Sequence, residues 1–293
     1  MIIAAIQMHC TEQIQENIAH AEILVRNAVD QGANVIVLPE LFERQYFCQE
    51  RRYAYYQFAK PVQENDAVRH FQKICKAFKL VMPISFYEKE GNILYNSVAM
   101  INADGNILGV YRKTHIPDDH FYQEKFYFTP GNTGFKIWNT AYGRIGVGIC
   151  WDQWFPEAAR AMTLQGAQLL CYPTAIGSEP ILNCDSMPHW CRCMQGHAAA
   201  NIIPVIAANR YGLETVDPCT ENAGQKSSLQ FYGSSFITDE TGALLCQADR
   251  EGDAVLTAEL DLSKIDTARL EWGLFRDRRP DCYLAITHES KNC

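Results

Sequence analysis

The sequence predicts a layered α/β domain with approximate internal two-fold organisation. Short, nearly continuous apolar runs recur along the chain, helical stretches separate many of them, and compact glycine-containing turns join others. The strand-like runs are 2–8 (IIAAIQM), 34–39 (NVIVLP), 80–88, 96–102, 144–150 (RIGVGIC), 168–173 (QLLCYP), 203–210, 234–239 and 254–260. Apolar continuity of this kind suits strands covered on both faces.

Between the first two strands, Ile14, Ile18, Ala21, Val25 and Ala28 mark a stripe at helical spacing, and Gly32 follows where a helix stops. Residues 66–79 and 187–201 are further helix candidates. Pro156 is a favourable first helical residue, and the helix it opens runs to Gly166. Glu90-Gly91-Asn92, Asp104-Gly105-Asn106 and Glu240-Thr241-Gly242 read as hairpin turns. The strand–helix–strand pattern that leads to Glu40 returns in the stretch that begins at Arg144. The polar stretch Gly212 to Ser228 reads as a long excursion, so residues 1–293 are expected to form one domain.

Composition narrows the function. With 47% hydrophobic and 20% charged residues the chain can bury a substantial core. A net charge of −8 excludes the basic face of a nucleic-acid binder, and it does not oppose a cationic substrate. The basic clusters Arg51-Arg52 and Arg276 to Arg279 are short and flanked by acids. No run approaches the ~20 apolar residues of a membrane span. The N-terminus lacks a basic n-region, so no signal peptide and a cytoplasmic location are expected. Thiols there stay reduced. The 12 cysteines are scattered and no Cys-x-x-Cys occurs. The one dense patch is Cys184, His189, Cys191, Cys193 and His197. Cys191 and Cys193 are too close in sequence for the usual zinc spacing, so a helix with buried thiols is expected there, and no metal.

Three strand ends carry chemistry. Glu40 follows an apolar run and a proline, Lys113 follows ILGVYR, and Cys150 ends GVGIC. Taken singly, each has a plain reading: a capping carboxylate, a solvated lysine, a core cysteine. Burial behind the apolar run 35–38 would raise the Glu40 pKa toward that of a general base. After Cys150 the chain turns and enters a helix at Pro156, a setting in which a thiolate becomes accessible near neutral pH. Backbone N–H groups past such a turn can also serve an oxyanion. A histidine partner (His115, His189 or His197) remains an alternative that spacing cannot choose among.

The blocks PELF (39–42), YRKTHIP (111–117) and GICWDQWFPE (148–157) resemble the signatures of the nitrilase, or carbon–nitrogen hydrolase, superfamily in its order of glutamate, lysine and cysteine. The likeness extends through 42–49, 123–135, 172–180, 197–214 and 276–283, toward a branch that acts on carbamoylated amines. It implies a four-layer αββα sandwich. It implies Cys150 as nucleophile, Glu40 as base, Lys113 and the Trp151 N–H as oxyanion donors, and Glu124 as a second, orienting glutamate. It also implies that no metal or organic cofactor takes part. The assembly is expected to be a homo-oligomer, dimer or higher, with the tail from about residue 268 at a subunit interface. The stretch 272–283 mixes the aromatic and arginine residues found in such places.

Relatives that bind acidic ureido substrates carry arginine soon after the cysteine; here Gln153 and Trp154 follow instead. Lacking that charged fork, the segment favours a small cationic ureido substrate. Glu179 is the first candidate to anchor its ammonium and Asp118 the second. Tyr46 and Trp151 are candidates to line the path of its methylene chain.

Overall fold

The computed structural model describes residues 1–180 and 182–288. One sheet is built from β1 (Ile2–Gln7), β2 (Ala33–Val37), β3 (Met82–Glu90), β4 (Ile93–Ile101) and β5 (Ile107–Arg112). The other uses β6 (Ile137–Thr140), β7 (Gly143–Val147), β8 (Leu169–Thr174) and β9 (Val205–Asn209). A hairpin, β10 (Tyr211–Val216) with β11 (Ser227–Tyr232), stands apart. Then β12 (Phe236–Thr238) and β13 (Leu244–Gln247) complete the second sheet, and β14 (Ala254–Glu259) returns to the first.

The first sheet runs β14-β1-β2 and continues into β3-β4-β5 through a parallel bridge between Val35 and Val81. There Ile36 N–H donates to Val81 O at 3.1 Å and Val81 N–H to Asn34 O at 2.9 Å. The second sheet has the order β13-β12-β9-β8-β7-β6. In each, parallel strands form the centre and antiparallel strands the flanks. The recurring sequence pattern is therefore a recurring topology.

Alternation along the strands sorts the side chains into layers. Ile3, Ala5, Val35 and Val37 pack against Val147, Cys171, Ile206 and Ala208 of the facing sheet. Their neighbours Ala4, Ile6 and Ile36 face outward onto α1 (Ile14–Asp30) and α2 (Asp66–Phe78). Leu170, Tyr172, Val205 and Ala207 likewise meet α3 (Pro156–Leu164) and α4 (Met187–Asn201). The result is the expected αββα order.

Differences from the sequence reading have local causes. The excursion 212–228 contains most of β10, and β11 begins within it; alternating exposure on β11 leaves no continuous apolar run. β6, β13 and α5 (Ser263–Trp272) escaped notice because they bury little; α5 contributes only Ile265 to the core.

Candidate active site

The ends of β2, β5 and β7 meet at one end of the sandwich. Beyond β2 the chain turns sharply: Glu40 N–H donates to Thr174 O of the facing sheet at 3.2 Å, and Leu41 holds φ +48°. A non-glycine residue in the left-handed region needs outside support. Arg210, fully buried, supplies it by donating to the carbonyls of Glu40 (2.7 Å), Leu41 (3.0 Å) and Arg44 (3.1 Å). Its own charge is paired with Glu214 at 2.9 Å. The Glu40 carboxylate accepts from Asn96 Nδ2 at 2.7 Å and Lys113 Nζ at 2.8 Å, both at Oε1. Oε2 is buried and has no protein partner among the described residues.

Lys113 leaves β5 with its N–H on Asn96 O at 2.8 Å. Its ammonium also donates to Glu124 Oε2 at 2.7 Å, and Tyr46 OH donates to Glu124 Oε1 at 2.7 Å. An ammonium has three donors, so two carboxylates leave one for a further acceptor. Burial opposes the charge on Lys113, but the Glu124 and Glu40 carboxylates outweigh it and hold the pKa well above the ordinary lysine value. Burial pushes Glu124 up to about 7 against the pull of Lys113. Glu124 sits in a short 3₁₀ turn, Glu124–Phe126, and is buried.

Cys150 opens a second 3₁₀ turn, Cys150–Trp154, at φ +41°. Asp152 holds that turn: its carboxylate accepts from Ile149 N–H (3.0 Å), Tyr111 OH (2.7 Å) and His115 N–H (3.0 Å). The loops after β5 and β7 are thereby tied together. Gly148 lies so close beneath that a Cβ there would stand 2.8 Å from the Tyr172 ring. The Cys150 thiol donates to Ala175 O at 3.6 Å. Burial and then the Glu40 charge raise its pKa well above the ordinary thiol value, with Lys113 opposing. Burial and the Glu40 charge thus work against the ready thiolate that its place near a helix start suggests.

The histidine alternative finds no geometry. His115 Nδ1 lies 2.8 Å from Asp152 Oδ1, His197 Nε2 lies 2.8 Å from Gln153 O, and His189 packs on Trp154. In the Cys/His patch, Cys193 Sγ is 3.5 Å from His197 Nε2, and among the described residues no third ligand joins them.

A cavity of about 360 Å³ leads to the thiol. Cys150, Glu124, Trp151, Asp118 and Glu179 all line it, with Tyr122 and Asp119 beside them. The lining holds four carboxylates, of which Glu124 is already paired with Lys113; the other three stand against Lys125, with Arg51 4.0 Å from Asp118. Glu179 is pushed up to about 7 by burial, with the Asp119 charge adding to the effect. Trp151 is 39% exposed and forms an aromatic wall.

One expectation needs correction. Tyr46 does not line this cavity; it is buried behind Glu124, and its hydroxyl serves that carboxylate. Gln153 and Trp154, where acid-binding relatives carry arginine, stand outside the lining, and the buried Gln153 side chain accepts from Thr174 Oγ1 at 3.0 Å. The acid balance comes from the lining itself. Sequence reasoning missed Asn96, Arg210, Asp119 and Tyr122. Asn96 and Arg210 did leave a signal, a polar group inside or ending an otherwise apolar strand run.

Comparison with known proteins gives the family and the fold. The family model described as carbon–nitrogen hydrolase matches residues 2–270. The chain is 55% identical to an N-carbamoylputrescine amidase of Oryza sativa subsp. japonica, over 97% of this chain and 93% of that relative. It is 50% identical to a citrullinase of Francisella tularensis subsp. tularensis, over 98% of each. Among solved structures, a carbon-nitrogen hydrolase from Helicobacter pylori G27 superposes with a TM-score of 0.89 at 35% identity, covering 99% of both chains.

Proposed function

The chain belongs to the carbon–nitrogen hydrolase family, and from that premise we propose that it hydrolyses N-carbamoylputrescine to putrescine, carbon dioxide and ammonia, a putrescine-forming step of polyamine synthesis. The observation that carries the substrate is the charge of the cavity: beyond Glu124, which is paired with Lys113, three carboxylates stand against Lys125. A ureido group on a polymethylene chain ending in an ammonium matches that balance and the Trp151 wall.

In this mechanism Glu40 takes the Cys150 proton as the sulfur attacks the ureido carbonyl. The oxyanion is met by the third donor of Lys113 and by the Trp151 backbone N–H. Glu40 returns the proton to the departing ammonia, which leaves a carbamoylated thiol bearing the amine. Water, deprotonated by Glu40, cleaves that thiocarbamate, and Glu40 returns the proton to the Cys150 sulfur. The released carbamate breaks down to carbon dioxide and the amine. Glu124 fixes Lys113, and Glu179 pairs with the substrate ammonium, with Asp118 the second candidate. No metal or organic cofactor enters any step.

The citrullinase relative gives a second reading specific content. Citrulline has the same ureido chain but adds a carboxylate beside its ammonium, which an acid-rich lining disfavours. β-Ureidopropionase-type and ω-amidase-type substrates lack the terminal cation altogether. Ammonia release measured side by side on N-carbamoylputrescine, citrulline, N-carbamoyl-β-alanine and simple amides decides. A kcat/KM highest for N-carbamoylputrescine supports the proposal; preference for citrulline overturns the substrate and leaves the chemistry.

The same proposal includes a homo-oligomer, dimer or higher, acting in the cytoplasm, with no nucleic-acid or membrane partner. The tail supports assembly: Leu270 is 80% exposed and Trp272 73%, an apolar face that a second copy would cover. Among the described residues, no helix is long and apolar enough to cross a membrane.

A further inference from the structure

Away from the reaction, the described residues bring three metal-ligating side chains together at one place: His9, His20 and Asp253, whose ligand atoms all lie within 4.8 Å of one another. His20 Nε2 is 2.7 Å from Asp253 Oδ2, and His9 Nδ1 is 3.7 Å from Oδ1 of the same carboxylate. The two imidazole rings are 4.8 Å apart by their centroids. A tetrahedral zinc ion with nitrogen and oxygen ligands at about 2.0–2.1 Å separates neighbouring ligand atoms by about 3.3 Å. The observed spacings, 2.7 Å, 3.7 Å and no more than 4.8 Å, lie on either side of that value.

Each ligand comes from a separately anchored segment. His9 follows Met8, which is bridged to Arg210 and accepts Tyr211 N–H at 3.2 Å. His20 lies on α1. Asp253 precedes β14, in a turn held by the buried Gln7, whose Nε2 donates to Asp249 O at 3.0 Å and Gly252 O at 2.9 Å. Tyr211 OH stands 3.3 Å from His9 Nδ1, and an ion bound at that nitrogen would take the lone pair that now accepts from the hydroxyl. An ordinary ion pair needs one histidine; here two converge on a single carboxylate, and a phenol stands beside them.

We propose that His9, His20 and Asp253 form a surface site for a borderline divalent transition ion, Zn²⁺ foremost, with solvent completing its coordination. Two imidazoles and one carboxylate select Zn²⁺, Co²⁺, Ni²⁺ or Cu²⁺ over Mg²⁺ and Ca²⁺, which prefer all-oxygen sites. The ion would join the end of β1, helix α1 and the turn before β14. Because metal binds the folded arrangement only, loading would raise thermal stability.

The test is calorimetric titration of the chelator-stripped, full-length protein with ZnCl₂ and, in parallel, with MgCl₂. The expected result is one Zn²⁺ per chain and no Mg²⁺. His20→Ala and Asp253→Asn, both surface changes whose folding circular dichroism checks, should each weaken Zn²⁺ by at least about tenfold. Cys150→Ala should leave it unchanged, which separates this site from thiol binding at the reaction centre. Co²⁺ loading should give d–d bands without a thiolate charge-transfer band. Absence of Zn²⁺ binding, unaltered affinity in both folded variants, loss of binding in Cys150→Ala or a thiolate band overturns the proposal.

Discussion

The Arg210 guanidinium donates to the backbone carbonyl of Glu40 at 2.7 Å, so the proposed base is held through its own peptide by a residue far away in sequence. The same guanidinium supports Leu41 at φ +48° and is neutralised by Glu214. A buried charge removed from such a pair leaves its partner uncompensated.

Arg210→Ala is therefore expected to lose about 3–5 kcal/mol of stability. Arg210→Lys, which keeps the charge but not the planar fork, should lose less and still lower kcat. Denaturant melts and steady-state rates check both. A wild-type kcat in a folded Arg210→Lys protein would show that the clamp does not position Glu40.

Tyr46→Phe separates two roles. Burial holds the Glu124 pKa at about 7 even with Lys113 and the Tyr46 hydroxyl pulling it down. Loss of the hydroxyl should move that pKa up by about one unit, the size of a hydrogen bond to a charged group. If the ionised carboxylate is needed, the acid limb of the kcat/KM profile shifts to higher pH while KM changes little. An unmoved limb with a raised KM would mean that Tyr46 contacts substrate after all.

Glu179→Gln should raise KM for N-carbamoylputrescine about 10- to 100-fold and lower kcat far less, as loss of a charge-assisted contact does. Unchanged KM removes Glu179 from the anchor role.

The Glu179 pKa gives a pH signature. In the unliganded protein it rises from 4.5 to about 7, so affinity for a cationic substrate should improve as pH rises through about 7 in wild type and stay flat in Glu179→Gln. The sign for stability is opposite. A raised carboxyl favours the protonated folded form, so its contribution is full below 4.5 and is lost as pH rises through about 7. Wild type should thus lose melting temperature relative to Glu179→Gln over that interval.

Leu270→Glu with Trp272→Glu places charge on the exposed tail. Light scattering after size exclusion should show an assembly of two or more chains for wild type and smaller species for the variant. An unchanged mass would move the interface elsewhere.

Much of the fold was legible because buried strands write themselves as apolar runs and α1 as a 3.6-residue stripe. Glu40, Lys113 and Cys150 were legible because each ends such a run. Their mutual arrangement was not, because it depends on contacts across long sequence separations, such as Lys113 with Glu40 and Arg210 with Glu40. Tyr46 was misread because an aromatic next to a motif looks the same whether it faces a cavity or backs a carboxylate. Position near a helix start is local, whereas the burial and the Glu40 charge that raise the thiol pKa come from the assembled site.

The central claim is that Cys150 attacks the ureido carbonyl of a cationic substrate. Ammonia and putrescine release from N-carbamoylputrescine, compared between wild type and Cys150→Ala, tests it most directly. The account predicts stoichiometric release of both products by wild type and none above background by a folded Cys150→Ala protein. Equal release by the two would contradict it, and release by neither would remove N-carbamoylputrescine as the substrate.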